Sequence, residues 1–361
     1  MQVVYSPRYH IDIGTHVFPT IKYQVLQREL LALGGLTFVE PDPAPWDLLA
    51  LVHTVEYLDK IRSGDFTVEE IAQLELPWAP EIVEGFRLMT GGTLLAAAHA
   101  LAHRADLEGR PLQLPADREG RPLQHSADRE GRPRQHPADL AGRPRRHPAD
   151  LEGRPRRHPA DLDGRSLSSG VGLHIGGGFH HAFANHGEGF CLFNDVAVSI
   201  RALQRDRRIA RAAIVDCDVH HGNGTAMIFD GDPAVFTFSI HQQHNYPAFK
   251  PRGSLDIGVE DRIRNVEYLD RLRRALPAVF ASRPDMVYYL AGADPYEDDQ
   301  LGGLALTREG LRERDRLVLQ ACRDAQVPVV VTLAGGYARR LEDTVAIHRA
   351  TFDVAREVFG L

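Results

Sequence analysis

Six short apolar, β-branched runs punctuate this chain, at residues 2–5, 171–175, 212–215, 234–240, 286–290 and 327–333. Runs that are apolar without alternation read as strands buried on both faces, the pattern of a parallel sheet covered by helices. Helical spacing separates most of them. Leu269, Leu272, Leu276 and Val279 fall on one helix face that Asn265 is placed to cap, and Thr307 opens a second helix carrying Leu311, Val318 and Cys322. The alternation predicts an α/β fold, a single domain built on a doubly wound, mainly parallel sheet flanked by helices. In such sheets ligands bind beyond the carboxyl ends of the strands, so the residues after each run are where chemistry is expected.

A length of 361 residues suggests two domains at roughly 150 residues each, but 61 of them cannot contribute a core. From 105 to 165 the chain repeats every 11 residues, as ADLEGRPLQLP, ADREGRPLQHS, ADREGRPRQHP, ADLAGRPRRHP, ADLEGRPRRHP and a truncated ADLDGRS. Each full unit contains Gly-Arg-Pro, which breaks a helix, and at most two Leu, so stacked units would bury little. The segment reads as a disordered or weakly extended insertion, and its four spaced histidines (His125, His136, His147, His158) read as products of repeat expansion rather than as a metal site. It enters between a helical pattern at 86–103 and the strand at 171–175, and long connections cost little closure entropy. Residues 1–104 and 166–361 then form one domain.

Charge and cysteine content exclude several classes. The formal charge is -7, which resolves into +2 on the insertion and -9 on the remainder, the opposite of the basic face that a general nucleic-acid binder needs. Cys191, Cys217 and Cys322 are too few for a disulfide framework and suit a reducing compartment. The start lacks a signal-peptide pattern and no apolar run spans a bilayer, so a cytoplasmic protein without membrane partners is expected.

Four run ends carry reactive residues. After 212–215 come Asp216, Asp218, His220, His221 and Asn223. Asp216, Asp218 and His220 lie two apart, on one side of an extended chain, and a carboxylate beside an imidazole begins a divalent metal site. Capping the next helix would account for one such residue, not for two Asp and two His in eight positions. After 286–290, Asp294 precedes Pro295, as a third ligand or as a turn residue. After 171–175 come three glycines, then His180 and His181, an acid/base pair or two surface histidines. After 327–333, Gly335-Gly336 present Tyr337, an oxyanion donor or a packing residue.

In order along the chain, VVYSPRYH (3–10), LVHTVEYLDKI (51–61), GGGFHHAF (176–183), GFCLFNDVAV (189–198), VDCDVHHGNGT (215–225), GADPYEDDQLGG (292–303) and LAGGYA (333–338) resemble the zinc-dependent histone deacetylases. The start and SIHQQHNYP (239–247) are nearest to class IV and related bacterial members. The resemblance covers nearly all of the chain outside the repeat. It implies an arginase/deacetylase fold, a deacetylase catalytic domain, and one catalytic Zn²⁺ held by Asp218, His220 and Asp294. By the same resemblance His180 and His181 are the catalytic histidines, Asp216 orients the first, and Tyr337 is the catalytic tyrosine. Asn223 stands where some members have a second Asp. Gly189 and Phe190 line the acyl-lysine tunnel, with Tyr246 and Phe249 both candidates for its second aromatic. Asp216, Asp218, His220, Ser239 and Ile240 fall where the family holds a monovalent cation, usually K⁺.

The implied activity is zinc-dependent removal of acyl (acetyl) groups from lysine side chains of proteins. The alternatives are a deacetylase of a small acetylated amine such as an acetylpolyamine, and a catalytically silent acyl-lysine binding module, which a replaced tyrosine or ligand would favour. A two-manganese ureohydrolase is disfavoured, because the chain offers no obvious second set of bridging carboxylates. The implied partners are therefore an acylated lysine peptide or a small acetylated amine, with no direct nucleic-acid contact; oligomeric state has no signature in the sequence.

Overall fold

The six apolar runs are the six interior strands of one sheet, and the two strands without such a run are its two edges. The computed structural model describes residues 2–108 and 170–361. Along them the order is β1 (Gln2–Val4), α1 (Ile21–Ala32), β2 (Thr37–Val39), α2 (Trp46–Leu49), α3 (Val55–Ser63), α4 (Val68–Leu74), α5 (Pro80–Glu108), β3 (Val171–His174), α6 (Asp195–Arg205), β4 (Ala212–Asp216), α7 (Asn223–Ile228), β5 (Val235–Gln242), β6 (Leu255–Val259), α8 (Asn265–Ala281), β7 (Met286–Leu290), α9 (Arg308–Asp324), β8 (Val329–Thr332) and α10 (Leu341–Phe359). The sheet order is β2-β1-β3-β8-β7-β4-β5-β6, with every pairing parallel. β2 and β6 are only partly buried, so neither needs a continuous apolar run.

The pleat sorts the core into two layers. Ala213, Val215, Val287, Tyr289 and Val331 pack on one face with residues of α8, α9 and α10, while Ala212, Ile214, Tyr288, Leu290 and Val330 pack on the other with α5 and α6. A sheet covered on both faces is the doubly wound arrangement, and it brings the C-terminal ends of β3, β8, β7 and β4 side by side.

Two expectations change in detail and one holds. The helix expected at 86–103 runs from Pro80 to Glu108 and takes in the first four residues of the repeat; residues 109–165 of that repeat lie outside the described residues. Thr307 caps α9, accepting from the Gly310 amide, as expected. Asn265 does not cap α8: it is the first residue of that helix, and its side chain instead exchanges two hydrogen bonds of 3.0 Å with Thr307, tying the starts of α8 and α9 together. Among the described residues, no helix is long and apolar enough to cross a membrane.

Candidate active site

β4 ends at Asp216, so the pleat does not align Asp218 with His220; both lie beyond the strand. A turn closed by the Asp218 side chain brings them together instead. Asp218 Oδ1 accepts from the His220 backbone amide at 2.9 Å and lies 3.0 Å from His220 Nδ1. Asp294, past the end of β7, accepts from the Val219 amide through Oδ1 at 2.8 Å. Its Oδ2 is buried without a hydrogen bond and stands 3.5 Å from His220 Nδ1. One donor atom from each of Asp218, His220 and Asp294 lies within 4.8 Å of the others, and all three residues are buried.

The loop after β8 closes this cluster from above. Gly335 donates its amide to Asp218 Oδ2 at 2.7 Å, and a β-carbon at 335 would collide with the carboxylates of both Asp218 and Asp294. Glycine is required there by proximity, since any side chain would push the carboxylates apart.

The electrostatics are those of a site built around positive charge. Burial, and then Asp218 beside it, pushes the Asp294 carboxyl up to about 7. Burial opposes a charge on His220, but Asp218 and Asp294 outweigh it and raise the imidazole to about 10. Two buried carboxylates facing one imidazole nitrogen, with one oxygen unpartnered, are a donor set that fits a divalent cation, and carboxylate with imidazole suits zinc.

Beside this cluster stand the two adjacent histidines. His180 Nδ1 is 2.7 Å from Asp216 Oδ2. Burial would lower its pKa, but Asp216 and then Asp218 override burial and raise it to about 9. His181 Nδ1 is 2.7 Å from Asn223 Oδ1, an uncharged partner. Burial, then the charges on His180 and His220, hold it well below the usual histidine value. Gly222 lets Asp216 and His180 approach, because a β-carbon there would sit 2.7 Å from Asp216 Oδ2.

Tyr337 is positioned by Asp299, whose Oδ2 accepts from the Tyr337 amide at 2.7 Å. Its hydroxyl makes no hydrogen bond among the described residues. Burial, then Asp218 and Asp294, raise its pKa well above the ordinary phenol value, so it keeps its proton as a donor.

These groups open into a cavity of about 190 Å³ lined by His180, His181, Asp218, His220 and Tyr337, with Gly189, Phe190 and Tyr246 among its walls. Phe190 stacks on Phe18 at 6.2 Å, and Tyr246 meets His181 edge-on at 5.0 Å. Of the two candidates for a second tunnel aromatic, Tyr246 lines the cavity, alongside Phe18, Phe179 and Tyr337. Phe249 is 63% exposed and does not line the cavity. Three wall residues, Glu75, Phe190 and Ala334, hold positive φ of 57°, 65° and 49°, backbone strain of the kind that gathers at functional sites. Asp216 and Ser239 are register partners across β4 and β5, and Ile240 follows in the core.

Two residues here had no signal in the sequence. Lys22, in α1, is fully buried. It donates to the Ala334 carbonyl at 3.3 Å and stands 5.5 Å from the ring centres of Phe18, Tyr23 and Tyr337. Burial lowers its pKa to about 8. Glu188 is the other. Its carboxylate accepts from Asn223 Nδ2 at 2.6 Å, from the Tyr246 hydroxyl at 2.8 Å and from Gln73 Nε2 at 3.1 Å. Nothing local marks a lysine in a helix or a glutamate between glycines as buried; only tertiary contacts distinguish them.

An all-parallel doubly wound sheet with acids, imidazoles and a tyrosine gathered at its carboxyl edge defines a protein of the arginase/deacetylase fold. Two solved structures share it: the HDA15 HD domain (TM-score 0.68, 20% identity, covering 100% of this chain and 93% of that one) and an acetylpolyamine aminohydrolase from Burkholderia pseudomallei (TM-score 0.67, 19% identity, covering 99% of each). Residues 16–351 match the histone deacetylase domain. An uncharacterized protein of Picosynechococcus sp. is 32% identical over 362 residues, 99% of both chains. Histone deacetylase 2 of Arabidopsis thaliana is 34% identical over 181 residues, which is 49% of this chain and 47% of that relative. The chain belongs to the histone deacetylase family, and is an amide hydrolase of the deacetylase type.

Proposed function

We propose that the chain removes acyl groups, acetyl foremost, from lysine side chains of proteins, with one zinc ion at Asp218, His220 and Asp294. The observation that carries this reading is the convergence of those three buried donors beside a cavity lined by His180, His181 and Tyr337. Zinc, once bound, supplies Lewis acidity toward an amide carbonyl and toward water. His181, with Nδ1 engaged by Asn223, has Nε2 free to take a proton from water and return one to the leaving amine. His180, kept charged by Asp216, places a fixed positive charge next to the reacting group. Tyr337 would donate a hydrogen bond from its hydroxyl to the carbonyl oxygen as negative charge develops there, keeping its own proton. Gly189, Phe190 and Tyr246 form an apolar sleeve that suits a lysine methylene chain. A monovalent cation, K⁺ by resemblance, at Asp216, Asp218, His220, Ser239 and Ile240 belongs to the same proposal.

A second reading, hydrolysis of a small acetylated amine, is favoured by Glu75, whose acidic side chain at the cavity wall suits a cationic amine tail. Elemental analysis together with turnover of a fluorogenic acetyl-lysine peptide, longer acyl-lysine peptides and acetylpolyamines, each with and without a hydroxamate, separates the two. One zinc per chain and hydroxamate-sensitive peptide turnover are expected, with zinc lost from Asp218→Ala and Asp294→Ala. Turnover confined to acetylpolyamines selects the second reading, and no zinc with no turnover overturns both.

A further inference from the structure

We propose that Glu188 is a positioning residue that sets the tautomer of His181, by fixing the Asn223 amide so that its oxygen, not its nitrogen, faces the imidazole.

The deduction runs along one chain of hydrogen bonds. Glu188 Oε1 lies 2.6 Å from the Asn223 amide and 2.8 Å from the Tyr246 hydroxyl, while Oε2 takes Gln73 Nε2 at 3.1 Å and faces His186 Nε2 at 3.5 Å. An ionised carboxylate only accepts. Burial works against its charge, but its bonds from His186, Asn223, Tyr246 and Gln73 together hold the carboxyl at about 2, so it stays an acceptor at neutral pH. The amide group of Asn223 facing it must then be Nδ2, which turns Oδ1 toward His181 Nδ1 at 2.7 Å. An amide oxygen also only accepts, so His181 carries its proton on Nδ1 and leaves Nε2 as a lone pair. An asparagine alone presents either end to an imidazole; the carboxylate behind it removes the choice.

Glu188 is poorly placed to act on substrate itself. It does not line the cavity, and both of its oxygens are already engaged. The turn that carries it is closed locally, the Glu188 amide donating to the Cys191 carbonyl at 3.2 Å and the Cys191 amide donating back at 2.9 Å. It also pins the Tyr246 hydroxyl, so one carboxylate holds both the imidazole and the aromatic wall that meets it edge-on.

The catalytic consequence rests on the reading of His181 as the base, so the test has a readout that does not. In holoenzyme labelled with [¹⁵N]histidine, the His181 ring signals, identified by their loss in His181→Ala, are expected to report Nδ1–H with an unprotonated Nε2. Glu188→Ala frees the Asn223 amide to turn; the Nδ1–H form is expected to lose its dominance, and kcat to fall about ten- to a hundredfold, as for lost outer partners of a site, with KM within about threefold. Adding Asn223→Asp to Glu188→Ala gives the imidazole a partner that only accepts. It is expected to restore the proton on Nδ1, and the ring signals rather than kcat read this rescue, because the new carboxylate also favours a charged imidazole, as Asp216 does for His180. A cavity left by the lost side chain would not be repaired by a change at 223, so failure of that rescue, or an unchanged tautomer in Glu188→Ala, overturns the proposal. A changed tautomer with undiminished kcat would instead uphold it and overturn the reading of His181 as base.

Discussion

His180 and His181 are neighbours in sequence with ring centres 4.1 Å apart, yet they carry opposite proton loads. The first faces the Asp216 carboxylate and is raised to about 9; the second faces the Asn223 amide and is held well below its ordinary value. Both are buried to the same degree, so burial does not separate them. The formal charge of the atom behind Nδ1 does, reinforced by mutual repulsion, because the charge that settles on His180 makes a second charge next to it costly. Pairs of titratable groups pushed apart in this way are how one pocket keeps an acid and a base at one pH.

The widest break in that contrast comes from removing each histidine in turn. His181→Ala is expected to lower kcat roughly 10²–10⁴-fold, the range for a lost proton-transfer group, while His180→Ala, which removes a charge and not the base, is expected to cost less. Steady-state kinetics at matched zinc content decide it, and equal losses would mean that the two proton loads are not two roles. Tyr337→Phe comes next. The hydroxyl is a neutral donor kept protonated by its surroundings, so its loss is expected to cost roughly 10²–10³ in kcat without loss of zinc or of folded protein. A variant with near-full turnover contradicts the oxyanion role.

The reactive residues were legible because each sits just beyond an apolar run, and parallel strands deliver their C-terminal ends to one edge. What lies behind those residues was not. Asp299 under Tyr337, Glu188 behind Asn223 and Lys22 beneath the rings of Phe18 and Tyr337 reach the site only through tertiary contacts. Glu188 draws its partners from positions 73, 223 and 246, and no local pattern encodes such a set. The edge strands were missed for a related reason. Thr37–Val39 and Leu255–Val259 are half-exposed, and a strand with one side in water is not obliged to be apolar throughout. The pairing of Asp218 with His220 was foreseen on an incorrect basis: an Asp-closed turn, not the strand pleat, aligns them.

Converting the first environment into the second gives a smaller effect. Asp216→Asn leaves His180 facing an amide, as His181 does. Loss of an outer partner of this kind is expected to lower kcat/KM about 10–100-fold, with zinc content measured in parallel, since Asp216 Oδ1 also accepts from the Asp218 amide at 3.1 Å. An unchanged kcat/KM would mean that the charge on His180 has no part in the reaction.

Two further histidines sharpen the contrast, because they share the lowered pKa of His181 with none of its access to the cavity. His53 donates from Nδ1 to the Phe183 carbonyl at 3.0 Å and accepts the Asn194 amide on Nε2 at 3.1 Å. His174 lies between Thr93 Oγ1 and the Tyr9 hydroxyl at 3.0 and 2.8 Å; Thr93 gives its proton to Asp195, so it accepts from His174 Nδ1 and leaves Nε2 to accept from Tyr9. Burial lowers the first to about 4 and the second to about 3. A histidine whose folded pKa is depressed binds its proton more readily in the unfolded chain, so between pH 6.5 and about 4 the unfolded state takes up protons that the folded state refuses. Stability falls as pH falls through that window, by about 3 kcal/mol for His53 at pH 4, and neither group affects turnover at neutral pH. Urea midpoints are expected to drop as pH falls below 6.5. The drop is expected to be shallower in His53→Gln than in wild type, and parallel curves for the two would show that His53 is not held neutral by the fold.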